Sequence, residues 1–462
     1  MTHDFDPGLL REYDVRGVVG RSLFEADAHA LGRSFGTVVA RAGGSRVTVG
    51  YDGRLSSPML EVALVRGLRE SGVDVVRIGL GPTPMLYYAE AELGVDGGIQ
   101  VTGSHNPADH NGFKMVLQHR PFFGEEIRAL GAAARAGDWT QGAGGCETVE
   151  IMDRYVARLV EDFDGAAWRI GWDAGNGAAG PVVEKLAKLI PGEHHLLFTD
   201  IDGHFPHHHP DPAEEANLAE LKALVLAKKL DFGLAFDGDG DRIGVVDGLG
   251  RTIAADQLLA ILAEYWLKRR PGAPIIFDVK AGRMIADRIA ALGGEPVMGA
   301  SGHSLMKSKM AQIGSPLAAE MSGHLYFGPP DYYGFDDALY AAVRLIRVAS
   351  KLGRTITQLR GEMPEMADTP EWRFAVAPDR KEAVVAEVRH RLEAAGARVI
   401  AIDGVRVETD DGWWLLRASH TQDMLVARAE AYDAAGLARL VRELDSQLAE
   451  SGVKRVDEEE AR

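Results

Sequence analysis

Arg46-Val47-Thr48-Val49-Gly50-Tyr51-Asp52 is a short, largely β-branched run that ends in an aromatic residue and an aspartate. The pattern returns at Arg169-Ile170-Gly171-Trp172-Asp173 and at Ile275-Ile276-Phe277-Asp278. The copies are spaced by about one domain length of ~100–150 residues, which predicts three repeated α/β units. Each copy is followed by a second apolar run that opens into a loop. Gly98-Ile99-Gln100-Val101 leads to Ser104, Gly233-Leu234-Ala235-Phe236 to Asp237, and Pro316-Leu317-Ala318 to Glu320. The three loops are therefore expected to be topological equivalents. Helical periodicity at 58–71, 181–189, 218–228 and 255–268 lies between these runs, so each unit should be a mixed or mostly parallel sheet covered by helices. Such sheets hold ligands in loops at strand ends.

After about Gly361 the character changes. Strand-like runs at 372–377, 398–402, 405–408, 413–416 and 424–426, with helical stretches at 380–393 and 434–448, read as an α+β module. The expected units are 1–149, 150–252, 253–364 and 365–462. Residues 137–145 are glycine-rich and read as a linker, and the acidic tail from Val456 reads as frayed.

At 462 residues with 46% hydrophobic content, the chain can build several packed cores. A formal net charge of −17 argues against nucleic-acid and anionic-membrane partners, which need a basic footprint. The single cysteine, Cys146, cannot form an internal disulfide and fits a reducing compartment. The first residues carry no basic n-region or apolar h-region, and no run approaches ~20 apolar residues. A soluble, cytoplasmic monomer is the expectation.

Two segments carry chemistry that belongs together. Thr102-Gly103-Ser104-His105-Asn106-Pro107 presents a serine hydroxyl on a tight loop, and Asp237-Gly238-Asp239-Gly240-Asp241-Arg242 alternates carboxylates with glycines. Three hard oxygens can then converge on one divalent cation. A calcium EF-hand does not fit, because counting from Asp237 the sixth position is Arg242 and the twelfth is Gly248. A serine nucleophile is weak unaided, and a cation that stabilises charge on a phosphoryl group in flight supplies the help. The pair points to phosphoryl transfer through a phosphoserine.

With Glu320-Met321-Ser322-Gly323-His324 and Arg417-Ala418-Ser419-His420-Thr421, these loops follow the order of the α-D-phosphohexomutases. The chain resembles the bacterial phosphomannomutase/phosphoglucomutase branch of that family from near Arg11 to near Ala431. The resemblance implies three homologous α/β domains with mixed sheets and a C-terminal α+β domain around a central cleft. It implies reversible conversion of hexose 1-phosphate and hexose 6-phosphate, of glucose and of mannose. Ser104 would be the phosphoserine and hexose 1,6-bisphosphate the intermediate and activator. Mg²⁺ would sit on Asp237, Asp239, Asp241 and an oxygen of phospho-Ser104. His105 and Asn106 would hold the serine loop, and Lys114 would offer charge nearby. Tyr13 and Arg16, from the N-terminal signature, would enter the cleft with Arg242, Lys280 and His303, and Arg16, Lys280 and His303 are candidates for moving the sugar hydroxyl proton. Glu320, Ser322 and His324 would meet sugar hydroxyls remote from the reacting carbon, and Arg417, Ser419, His420 and Thr421 the phosphate that is not reacting. Gly334-Phe335-Asp336-Asp337 also resembles the dual-specificity branch. The chain departs from the branch at Ala319, where glycine is usual, and at His420, where asparagine is usual. A hinge is expected at 363–369.

Two motifs point elsewhere. Gly175-Asn176-Gly177-Ala178-Ala179-Gly180 follows a strand and has Asp200 further on, as in a dinucleotide-binding unit. An NAD-dependent oxidoreductase is therefore the rival class, although it leaves Ser104, the aspartate loop and Arg417 unexplained. His207-His208-His209 could bind zinc, but adjacent histidines converge poorly on one metal. A non-enzymatic sugar-phosphate binding protein is separated from both by whether Ser104 takes up phosphate.

Overall fold

A computed structural model describes residues 2–377, 379–419 and 424–454, and its four sheets succeed one another along the chain. In the first, Arg46–Tyr51 lies parallel to Gly97–Val101 on one side and to Asp74–Leu80 on the other, and Gly97–Val101 pairs antiparallel with His110–Leu117. The second sheet repeats the order. Trp168–Asp173 lies between Phe232–Phe236 and Gly192–Leu197, with Ile243–Asp247 antiparallel at the side of Phe232–Phe236. The third repeats it again, with Pro274–Asp278 between Leu317–Ala319 and Glu295–Gly299, and Leu325–Phe327 returning antiparallel.

The repeat of three aspartates is thus a repeat of sheet topology. The strands that deliver Ser104, Asp237 and Glu320 hold the same place in each sheet, and all three are buried throughout. Burial on both faces is why their sequences are continuous apolar runs without alternation. Ala319 ends the third of these strands, paired with Phe277 and Leu325, so its methyl is absorbed in the sheet.

The fourth sheet is antiparallel, running from Ala367–Asp368 through Met424–Ala431, Gly412–Ala418 and Val405–Glu408 to Arg398–Ile400, with Trp372–Ala375 also on Met424–Ala431. Helices Lys381–Ala394 and Ala434–Glu450 share its core.

The second and third units do not keep separate cores. One apolar cluster runs from Trp172 and Phe236 through Ile275 and Leu317, and takes in Met85 and Tyr88 of the first unit. Helix Thr83–Glu92 is therefore shared, and it carries Thr83 to the second unit.

Three expectations change. Residues 137–145 are not a loose linker. Gly142 and Gly144 give their N–H groups to Glu70 O and Arg69 O at 2.9 Å, and Cys146–Thr148 then adds a parallel strand beside Asp74–Leu80. The boundary expected between 252 and 253 falls inside the strand Thr252–Ile253, which pairs with Ile243–Asp247. In the segment expected to be a hinge, Met363 packs on the shared core while Ala367–Asp368 and Thr369 pair with the fourth sheet, so only 364–366 lie between the two.

Candidate active site

The serine loop is held from below by the aspartate that ends its neighbouring strand. Asp52 Oδ2 accepts the Thr102 hydroxyl at 2.8 Å and the Gly103 N–H at 3.1 Å, and the Thr102 hydroxyl accepts the Ser104 N–H at 2.8 Å. These bonds hold Ser104 at a φ of +50°, a left-handed conformation that side chains other than glycine seldom adopt. The strain aims the hydroxyl across to the second unit, where Oγ donates to Asp237 Oδ2 at 3.0 Å. His105 Nδ1 lies 3.1 Å from the same Oγ. Burial first, and then Arg242, Arg16 and Lys114, hold the His105 imidazole well below the ordinary histidine range, so the ring is neutral at pH 7. Arg16 reaches the loop through Asn106 Oδ1 at 2.9 Å while paired with Asp14.

The aspartate loop brings Asp237, Asp239 and Asp241 together, all three without solvent exposure. Burial, reinforced by Asp239 and Asp241, drives the Asp237 carboxyl far above the carboxylate range. Lys114 Nζ donates to Asp239 Oδ2 at 2.8 Å and also to Asp241 Oδ2. Its burial opposes the charge, but the two aspartates outweigh that and push its pKa well up. Arg242 and His324 add positive charge beside Lys114, yet Asp239 Oδ1 is buried with no hydrogen-bond partner. The donor set therefore fits a divalent cation with hard-oxygen preference.

The third loop is stitched to the second by backbone. Arg242 bridges His324 and the Ile243 N–H meets Gly323 O at 3.0 Å. His324 Nε2 lies 3.3 Å from Asp241 Oδ1, and its Nδ1 is bonded to Ser322 Oγ at 2.8 Å. Glu320 accepts the Gly302 N–H at 2.7 Å and the Tyr326 hydroxyl at 2.5 Å. The His303 ring stacks on that of His324 with centroids 6.1 Å apart, and Asp336 Oδ2 lies 3.9 Å from a nitrogen of each. Burial, then Lys307 and Lys114, keeps His303 well below the ordinary range and so neutral. Tyr13 crosses from the first unit to donate to Ser301 O at 3.1 Å. Lys280 instead faces the fourth unit, 3.8 Å from Glu371 Oε2.

Arg417 arrives on strand Gly412–Ala418, with Nη2 3.0 Å from Asp403 Oδ2, and that oxygen also accepts the Ser301 N–H at 3.1 Å. The fourth unit's arginine is thereby tied to the loop that precedes His303. Ser419 gives its N–H to Met424 O at 2.9 Å, and its carbonyl accepts from Lys381 at 3.1 Å. His420 and Thr421 lie outside the described residues. Among the described residues, Nε of Arg16, Arg242 and Arg417 is buried without a hydrogen-bond partner. Guanidinium groups presented in this way suit the oxygens of an anionic ligand.

Residues 8–139, 153–250, 254–366 and 371–447 match, in order, alpha/beta/alpha domains I, II and III and the C-terminal domain of phosphoglucomutase/phosphomannomutase. The chain belongs to this family. It is 43% identical to a phosphomannomutase/phosphoglucomutase of Pseudomonas putida over 95% of each chain. It is 39% identical to a phosphoglucomutase of Neisseria meningitidis over 94% of this chain and 95% of that one. A crystal structure of a phosphoglucomutase/phosphomannomutase family protein from Burkholderia thailandensis superimposes with a TM-score of 0.92 at 42% identity, covering 97% of this chain and 98% of that one.

Membership in the phosphoglucomutase/phosphomannomutase family disposes of the oxidoreductase reading, and the geometry explains the misleading turn. A Cβ on Gly177 would stand 2.8 Å from Gly238 O, and one on Gly180 2.0 Å from Thr199 O. These glycines admit protein backbone at close range. The three histidines are likewise spoken for in part: His207 bonds Asn176 Oδ1 at 2.8 Å and His208 bonds Asp173 at 3.0 Å. Among the described residues neither belongs to a cluster able to hold a metal.

Several groups at the site are invisible in the sequence pattern. Thr83 donates its N–H to Asp239 O at 2.8 Å and its hydroxyl to the Asp239 carboxylate. Asp403 orients Arg417 through their ion pair, and Arg54 gathers the carbonyls of the serine loop. Arg54 stands two residues after Asp52, and that closeness to the motif is the signal that could have found it.

Proposed function

We propose that the chain reversibly converts hexose 1-phosphate into hexose 6-phosphate, for both glucose and mannose, with Ser104 as the phosphoryl carrier. The observation that carries this reading is the 3.0 Å contact of Ser104 Oγ with Asp237 inside a buried cluster of three carboxylates able to hold a metal ion. Mg²⁺ held by Asp237, Asp239 and Asp241 would supply charge stabilisation to the phosphoryl oxygens.

The free hydroxyl of the bound sugar phosphate attacks phosphorus, the bond from phosphorus to Ser104 Oγ breaks, and hexose 1,6-bisphosphate forms. A neutral base takes the hydroxyl proton, and we assign that role to His303, whose imidazole burial keeps unprotonated. The bisphosphate turns end for end, Ser104 Oγ takes the other phosphoryl group, and the proton returns to the departing sugar oxygen. Glu320, Ser322 and His324 hold hydroxyls that glucose and mannose share, which supports acceptance of both. Arg417, with Ser419, His420 and Thr421, holds the phosphate that is not reacting, while Tyr13, Arg16 and Arg242 line the path between and Lys280 stands at its edge toward the fourth unit.

The chain would act as a monomer on free sugar phosphates. Among the described residues no helix is long and apolar enough to cross a membrane. Cys146 is an exposed free thiol, which supports a reducing, cytoplasmic setting. The deciding experiment pairs Ser104→Ala with intact-protein mass. The wild-type protein should gain one phosphate from glucose 1,6-bisphosphate and the variant none, with mutase turnover abolished. Turnover in the variant near the wild-type rate would refute the assignment.

A further inference from the structure

We infer that Arg54 and Phe205 form a positioning pair that sets the reach between the serine loop and the aspartate loop. The Arg54 side chain is fully buried and its fork gathers four carbonyls of the serine loop. Nη2 donates to Ser104 O at 2.7 Å and Asn106 O at 2.6 Å, and Nη1 donates to Pro107 O at 2.5 Å and His110 O at 2.9 Å. Asp52 supplies the counter-charge, with Oδ2 3.3 Å from Nε and Oδ1 accepting the Arg54 N–H at 3.0 Å. A planar, rigid guanidinium can hold acceptors in several directions at once, which an ammonium on a flexible stem cannot.

The same guanidinium meets the second unit, because the Phe205 ring centroid lies 5.2 Å from its carbon. Phe205 is held at a φ of +51° in a tight turn closed by its N–H on Asp202 O at 3.0 Å. That turn is pressed against the first unit. A Cβ on Gly53 would come within 2.3 Å of Ile201, and one on Gly203 within 2.7 Å of Leu55 N. At its other side the turn is tied to Asn176, through the Asp202 N–H on Asn176 O at 3.0 Å and Asn176 Nδ2 on Asp200 O at 2.8 Å. Beyond Asn176, the Ala178 N–H meets Gly238 O at 2.9 Å, and Gly238 belongs to the aspartate loop.

A chain of contacts thus leaves Ser104 through Arg54, passes Phe205 and Asn176, and arrives at Gly238, closing a ring with the direct bond from Ser104 to Asp237. Through this ring the glycine-rich turn at 175–180 transmits the position of the serine loop to the carboxylates. Such a ring holds the reacting groups at one spacing, and a misplacement of about 1 Å can cost ~100-fold in rate.

The inference rests on Ser104 being the phosphoryl carrier. Its test uses the full chain with Arg54→Lys, Phe205→Ala and Phe205→Tyr, measuring kcat and KM for glucose 1-phosphate per folded enzyme. The rate of phosphate uptake from glucose 1,6-bisphosphate is followed separately by intact mass. Arg54→Lys should lower kcat by about 100-fold and Phe205→Ala by about 10-fold, with uptake slowed in parallel and KM within about twofold. Phe205→Tyr, which keeps the ring, should recover most of the loss. If Arg54→Lys does not fold, the Phe205 variants decide. Wild-type kcat and uptake in folded Phe205→Ala would overturn the inference, as would a rise in KM matching any fall in kcat, or no recovery with Phe205→Tyr. Activity in Ser104→Ala would instead sink the carrier assignment, so the two failures are distinguishable.

Discussion

Lys114 Nζ lies 2.8 Å from Asp239 Oδ2 and also reaches Asp241, so a buried ammonium of the first unit stands between two carboxylates of the second. The lysine is placed by its strand, which pairs antiparallel with the strand leading to Ser104 and sets Lys114 opposite Gln100. The ion pair therefore serves two ends, joining the units and reducing the repulsion within the aspartate loop.

Removing that ammonium leaves buried carboxylates uncompensated, a loss typically worth ~3–5 kcal/mol. Lys114→Met should lower the melting temperature in EDTA and abolish turnover. Added Mg²⁺ should then raise the melting temperature of the variant by more than that of the wild type, because the cation replaces part of the missing charge. Thermal melts with and without metal check this, and equal metal-induced shifts in the two proteins would count against it.

Metal removal should act on the wild type as well. After exhaustive dialysis against EDTA, mutase activity should vanish and return with Mg²⁺. Asp239→Asn should need more metal to reach half its maximal rate, since one hard anionic ligand is lost. Full activity in the dialysed wild-type enzyme would show that the aspartate loop needs no cation.

The fold is legible in the sequence to the extent that each unit repeats one local pattern: a run closing on Asp52, Asp173 or Asp278, then a run opening into a loop. Strands buried on both faces write themselves as apolar runs, and loops at their ends follow. Contacts between units leave no such trace. Thr83 reaches Asp239 because helix Thr83–Glu92 is shared between cores, and no periodicity within the helix announces a partner in another sheet. The stretch at 137–145 misleads for a different reason. Glycine composition reads as freedom, whereas Gly144 is there because a Cβ would stand 1.9 Å from Val73 O. The serine and aspartate loops are readable as chemistry, but Arg54 and Asp403 act on backbone and on another side chain, which spacing alone does not reveal.

Asp278 should give the third unit a pH-dependent stability. It is fully buried and accepts the Ser301 hydroxyl at 2.8 Å and the Met321 N–H at 3.3 Å. Burial drives its carboxyl up, Lys280 draws it down and Glu320 adds to the rise, leaving it at about 6 against an ordinary 3.8. A pKa raised in the folded state means that folding favours the protonated form. The contribution is therefore fully present below about 3.8 and is lost as pH rises through about 6. At 1.36 kcal/mol per unit its upper bound is ~3 kcal/mol. Asp278→Asn should remove this component, so wild type minus variant melting temperature should fall as pH rises across that window. A difference independent of pH would place the Asp278 pKa at its ordinary value.

In the proposed reaction Arg417 holds the phosphate that is not reacting. The residue is 7% exposed and its guanidinium is already paired with Asp403 at 3.0 Å, yet its Nε is buried without a hydrogen-bond partner. The pairing fixes the plane of the fork, so the remaining donors are preorganised for a phosphate dianion and lose little freedom on binding. Arg417→Lys keeps the charge but loses the fork, and should raise KM about 10-fold for glucose 1-phosphate and mannose 1-phosphate alike, because the phosphate is common to both. Asp403→Asn keeps an acceptor but weakens the hold on the arginine, so it should raise KM in the same sense by a smaller factor. Because the two residues act on one contact, the double variant should be no worse than Arg417→Lys alone. Steady-state kinetics on both sugars for the three variants check this. A KM effect confined to one sugar would move Arg417 from the phosphate to a sugar hydroxyl, and additive losses in the double variant would separate Asp403 from it.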